Sequence, residues 1–242
     1  MKATFLGQYG WLIDTGSDKL AIDPWLTGNP LAAQRAQDIR CNYLLLTHAH
    51  DDHIADTETI AKQSDAQVIT TNEIAGQLGE RGVRCHPMHV GGTFKFPFGK
   101  VRMNVAFHGS GIAGGFPCGF LIETGGKRIF HAGDTALYSD LKLLHKLWGP
   151  VDLALLPIGG NFTMDADDAV TAARWIQPRR VVPTRYNTFP LIEADAEAFC
   201  RHCAQAGVSA KVVRSSNPGR ASRYSRAAAL VSPGLPRAHA AK

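Results

Sequence analysis

Apolar residues gather into short clusters along the first two hundred positions, with turn-forming residues between them. Residues 2–6, 10–15 and 18–23 predict three short strands, with turns at Gly7 and at Gly16-Ser17-Asp18. Tyr43-Leu44-Leu45-Leu46 is a continuous apolar run and predicts a short buried strand. The pattern then alternates, with helices over 54–63 and 73–80 on either side of a strand at 67–70, which implies parallel pairing. Strands at 118–124 and 128–131 form a hairpin around Gly125-Gly126, preceded by a strand over 100–107. Beyond them the spacing predicts a helix at 137–147, a strand at 151–156 and a helix at 166–176 that Asp165 caps and Pro178 stops. A short strand at 181–183, a helix at 193–206 and a strand at 210–213 close the regular pattern. No repeat is visible at the level of residues.

With 242 residues and 45% hydrophobic content the chain buries a real core, in one domain or two by length. No apolar run reaches 18 residues and the N-terminus enters a strand pattern at once, so a soluble, cytoplasmic protein is expected. The five cysteines are odd in number and scattered, which fits a reducing compartment better than a disulfide framework. Cys200 and Cys203 resemble half a zinc knuckle. Together with Ala196 and Phe199, however, they have the i, i+3, i+4, i+7 spacing of a helix's core face. The net charge of +5 is uneven: six of the 26 basic residues lie from Arg214 onward, with no acidic residue among them. The remaining 20 against 21 acidic residues leave the body near −1. Residues 214–242 are therefore expected to form a disordered basic tail after a single domain over 1–213, an arm for acidic partners being the alternative.

Thr47-His48-Ala49-His50-Asp51-Asp52-His53 follows the buried strand directly. In extended chain His48 and His50 point the same way, while Asp52 and His53 fall where the next element begins and can face a neighbouring point. One stretch thus offers ligands to two cations, which sit about 3.5–4 Å apart in two-metal hydrolytic sites. Imidazole with carboxylate suits zinc first, with manganese or iron as alternatives. A polar loop with solvated histidines is the bland reading, but the full HxHxDH spacing favours metal. Further ligands must come from elsewhere. His108 follows a strand into a glycine-rich loop, and Asp134 sits just past the strand ending at His131, where it either bridges cations or caps a helix. Asp23 ends a strand and either orients a ligand histidine or caps the loop that Pro24 begins; His131 belongs behind the ligands or in the core.

These segments, with LIDTGSDKLAIDPWLTGNP, FHAGDTALYSDLKLL and LLPIGGNFTM, resemble the metallo-β-lactamase superfamily from Met1 to about Val213. More closely, they resemble a branch of small metal-dependent hydrolases related to L-ascorbate-6-phosphate lactonase. The resemblance implies an α/β, four-layer αββα sandwich of two mixed sheets packed face to face. It also implies that His48, His50 and His108 hold one metal and Asp52 and His53 a second, with Asp134 bridging. Two departures stand out. Where such proteins carry a histidine in a PMHYNTFP-like segment, this chain has Arg185, and a guanidinium has no lone pair for a metal. Gln8 stands where relatives often place a histidine in a GHS-like turn, a loss expected to matter less.

The expected activity is hydrolysis of an ester, lactone, amide or phosphoester, because a cation held by three imidazoles brings the pKa of water down to about 7. Asp52 is the candidate to orient the nucleophile and take its proton. Arg185 either lies between Asp52 and Asp134 in place of the second cation, the favoured reading, or turns into the groove to bind an anionic substrate. A binding or regulatory protein on the same fold is the alternative, and a nuclease ranks behind both because the body has no basic stripe. The expected partner is a small molecule, with no membrane and no nucleic acid; a homo-oligomer is compatible with this reading.

Overall fold

The computed structural model describes residues 1–215. Its first half is β1 (Lys2–Gly7), β2 (Gly10–Asp14), β3 (Lys19–Ile22), β4 (Tyr43–Leu45), the one-turn helix α1 (Asp51–Ile54), α2 (Thr57–Ser64), β5 (Gln67–Thr71), α3 (Asn72–Glu80) and β6 (Cys85–Met88). The second half is β7 (Thr93–Phe96), β8 (Gly99–Val105), β9 (Cys118–Thr124), β10 (Lys127–His131), α4 (Leu143–Trp148), β11 (Leu153–Pro157), α5 (Ala166–Ile176), β12 (Val181–Thr184) and α6 (Ala196–Gln205). Each half is one six-stranded mixed sheet, ordered β1-β2-β3-β4-β5-β6 and β12-β11-β10-β9-β8-β7. In both, an antiparallel meander passes into parallel strands, at β3/β4 in the first and β10/β11 in the second. This duplicated plan leaves no trace in residue identity.

Alternation along the strands builds three apolar layers. Leu45, between Leu44 and Leu46, joins Trp11, Ile22, Phe120, Ile129 and Leu155 in the core between the sheets. Leu44 and Leu46 point the other way, onto Ile60, Ala61, Ile74 and Leu78 of α2 and α3. On the second sheet Phe130, Ala154 and Leu156 meet Ala169, Ala172, Ile176, Phe199 and Cys203 of α5 and α6. Fully burying side chains of this size contributes about 1.5–3 kcal/mol each. Cys203 is fully buried and Cys200 packs beside it, so this pair serves the helix face, as its spacing predicts.

Several elements differ from expectation. The predicted helix at 137–147 begins as a 3-10 turn, Ser139–Lys142, and only then becomes α4. The predicted helix at 193–206 starts at Ala196, where Asp195 caps it by accepting from the amides of Glu197 and Ala198, each at 2.9 Å. The strand expected at 210–213 is a single bridge between Ala210 and Val181. Strands β6 and β7 escape the pattern because each lies at a sheet edge, β6 around Pro87, a residue that edges tolerate. The basic tail lies outside the described residues from 216 onward. Among the described residues no helix is long and apolar enough to cross a membrane.

Candidate metal centre

The candidate residues gather at the carboxyl ends of β3, β4, β10 and β12 and just beyond β8, close to where each sheet changes from antiparallel to parallel pairing. Two glycines allow the close approach. Gly133 has φ +66, and a Cβ there would lie 2.3 Å from the Cys118 carbonyl oxygen. Gly111 has φ +73 and a Cβ site 2.6 Å from the His50 backbone nitrogen, so the 109–115 loop lies directly against the histidine stretch.

Four imidazoles converge. Ring centroids of His48, His50 and His108 are 4.7–5.2 Å apart, and His53 is 4.1 Å from His48. His48, His50 and His108 each offer a ring nitrogen within 4.8 Å of the other two. The His48 Nε2 and His50 Nδ1 atoms are 2.9 Å apart, a separation that requires one proton, or a shared cation, between two lone pairs. His108 Nε2 is buried and has no hydrogen-bond partner among the described residues. This donor set fits a divalent cation with an open fourth position.

Behind the imidazoles, Asp23 contacts both His53 and Thr47. Its Oδ2 accepts from His53 Nδ1 at 2.9 Å and from the Thr47 hydroxyl at 2.6 Å, while its Oδ1 accepts from the Thr47 amide at 2.8 Å. Having given its proton to a carboxylate, the Thr47 oxygen must accept from His48 Nδ1 at 2.9 Å, which leaves the lone pair of His48 on Nε2, facing His50. The loop after Pro24 is tied by Asp56, which accepts from the Leu26 and Thr27 amides. Thr47 went unnoticed in the sequence, although a hydroxyl beside a ligand-spaced histidine was a readable signal. His131 is buried one layer back, its ring tilted against that of Tyr9 with centroids 4.2 Å apart, and it does not join the imidazole cluster.

The second group is different in kind. His48, His53 and Asp134 also converge within 4.8 Å. Asp134 is fully buried, with Oδ1 3.5 Å from His53 Nε2 and Oδ2 3.4 Å from His108 Nε2, so it stands between the two groups. Arg185, itself 4% exposed, makes a close ion-pair contact from Nε to Asp134 Oδ2 and brings Nη2 to 3.7 Å from Asp52 Oδ2. A permanent positive charge therefore lies against Asp134, beside a group of donors able to hold a cation. Asp52 joins neither three-residue group. Its Oδ2 accepts from Gln8 Nε2 at 3.0 Å and lies 3.9 Å from His53 Nε2. Gln8, expected to matter little, thus touches the site directly.

Charge in the cluster is balanced by protonation. Burial alone would lower His53, but the carboxylates of Asp134 and Asp23 outweigh it and raise His53 to about 10. Burial would raise Asp134, yet His53 and Arg185 hold it well below the usual carboxylate range. His48 is lowered well below 6.5, by burial first and then by the charge on His53, and burial also lowers His108. Both are neutral at pH 7.5, so a cation entering the trihistidine group displaces no proton from either. Calorimetric titration of zinc into apo protein, in buffers of different ionisation enthalpy, is therefore expected to show release of no more than about one proton per cation. A value near three would mean that the imidazoles start out charged.

Two mixed sheets between helices, with a histidine and aspartate cluster at one end, define the metallo-β-lactamase class of fold. Residues 11–186 match the family model described as a beta-lactamase superfamily domain. A UPF0173 metal-dependent hydrolase of Natranaerobius thermophilus is 51% identical over 82% of this chain and 89% of its own length. YtkL of Bacillus subtilis, of the same description, is 49% identical over 82% and 91%. Among solved structures, Igni18, a metallo hydrolase from the archaeon Ignicoccus hospitalis, superposes with a TM-score of 0.82 at 33% identity, covering 88% of this chain and 94% of that one. The chain belongs to the UPF0173 metal-dependent hydrolase family of the beta-lactamase superfamily.

Proposed function

We propose that the protein is a hydrolase that works with one divalent cation, zinc by preference, held by His48, His50 and His108, and that Arg185 takes the place of the second. The observation that carries this reading is the contact of the buried Arg185 guanidinium with Asp134, beside three imidazoles that converge on one point. When bound, the cation supplies Lewis-acid polarisation of water and of the substrate oxygen. The chain's own groups do the rest. Asp52, part-exposed and outside both three-residue groups, takes the proton of the attacking water and returns it to the leaving group. Asp134 and Arg185 neutralise one another, so the site adds little net charge to an incoming ester, lactone, amide or phosphoester. With Arg185 spent on this pair, an anionic substrate group is not its main partner. Five thiols, none paired among the described residues, fit work in a reducing compartment such as the cytoplasm.

Elemental analysis of purified protein is expected to give one tightly bound metal per chain, and Arg185→His is expected to take up a second under saturating metal. Two equivalents in the unaltered protein overturn this reading. Arg185 also motivates the alternative of a binding protein that has lost turnover. Rates on a panel of lactones, thioesters and phosphodiesters no better than those of metal-free protein would favour it.

A further inference from the structure

We infer that Gln8 is the second half of the device that closes the His53/Asp134 pocket to a cation: its side-chain amide occupies the oxygen of Asp52 that such a cation would need. This rests on the one-cation reading above. Asp52 Oδ2 is the oxygen that faces His53 Nε2, at 3.9 Å. The same atom accepts from Gln8 Nε2 at 3.0 Å and faces Arg185 Nη2 at 3.7 Å. A carboxylate oxygen has two lone pairs: the Gln8 amide takes one by a hydrogen bond, and the guanidinium, beyond hydrogen-bond distance, sets a positive charge against a cation at the other. Removing the guanidinium alone leaves the amide in place.

The direction of the amide follows from its surroundings. The Asp52 carboxylate can only accept, so the Gln8 nitrogen must face it, and Oε1 then accepts from the Thr188 hydroxyl. Gln8 is 1% exposed and cannot swing into solvent. Its backbone carbonyl accepts from the Arg185 amide at 2.8 Å, and both residues hold left-handed conformations, φ 50 and φ 53. Non-glycine residues adopt that region at a cost, which persists only where the surroundings fix it. The β1–β2 turn and the segment after β12 are thereby joined into one unit, whose two side chains converge on Asp52. Asp52 is turned by this unit into a carboxylate held for proton transfer instead of metal binding. Gln8 is a positioning residue and touches no reacting atom.

The test measures second-cation affinity by cobalt(II) titration, following ligand-field absorption, with elemental analysis for stoichiometry. Gln8→Glu keeps an acceptor for Thr188 but removes the donor to Asp52. Alone it is expected to remain at one cation, because the guanidinium stays. Arg185→His is expected to bind a second cation weakly, and Gln8→Glu/Arg185→His about tenfold or more tightly than Arg185→His alone. Gln8→Met, which removes the donor without adding charge, is expected to tighten binding in the same background and serves if the glutamate variant does not fold. Equal second-cation affinity in Arg185→His and in both double variants overturns the inference while leaving the one-cation reading intact. Two cations in the unaltered chain overturn the reading itself.

Discussion

Asp134→Asn is expected to destabilise the metal-free protein by about 3 kcal/mol, and Arg185→Met in the same chain to restore most of that loss. Asp134 is fully buried and Arg185 is 4% exposed, so neither charge is relieved by water when its partner is removed. The asparagine variant leaves the guanidinium with Asp52 alone, 3.7 Å away and itself part-exposed, which places the expected loss at the low end of the range for broken buried pairs, about 3–5 kcal/mol. The double variant has no uncompensated guanidinium and puts a flexible apolar chain in the same space. Urea unfolding of the four proteins in chelator forms the cycle, and additive losses would show that the two residues act independently.

The same cluster sets the sign of the pH dependence. His53 is raised from 6.5 to about 10 in the fold, so the native chain holds a proton that the unfolded chain gives up between those values. Its contribution is complete below pH 6.5 and is lost as pH rises through about 10. Asp134 is shifted downward, so its contribution is present above the unfolded carboxylate range and is lost only as pH falls below it. Asp134→Asn removes the main charge that holds the proton on His53 and flattens the alkaline limb.

Much of this was legible in the sequence, for a reason specific to each part. Strands such as Tyr43-Leu44-Leu45-Leu46 declare themselves because both faces are buried, one against the other sheet and one against α2 and α3. The short polar edge strands β6 and β7 have no such signature, since only tertiary pairing makes them strands. Ligand-type residues stood out by spacing and by their place at strand ends. What spacing cannot show is which carboxylate meets which cation. Asp52 and Asp134 read alike on paper, yet one is part-exposed on a one-turn helix and the other sealed between two histidines and an arginine. Gln8 and Arg185 are 177 positions apart, and the fold alone makes them neighbours.

Asp52→Asn is expected to leave the metal content at one per chain and to lower kcat about 10²–10⁴-fold, the range for loss of a positioned proton acceptor. Asparagine is isosteric, and its amide oxygen can go on accepting from Gln8 and facing Arg185, so the fold around α1 is preserved. That orientation turns the amide nitrogen outward in place of the second carboxylate oxygen, where it can donate but not accept a proton. His108→Ala should behave in the opposite sense, losing the cation outright because two imidazoles remain where three converged. The pair of variants separates holding the metal from moving the proton. If Asp52→Asn lost its metal as His108→Ala does, Asp52 would be a ligand, and its assignment as the proton acceptor outside the three-imidazole group would fail.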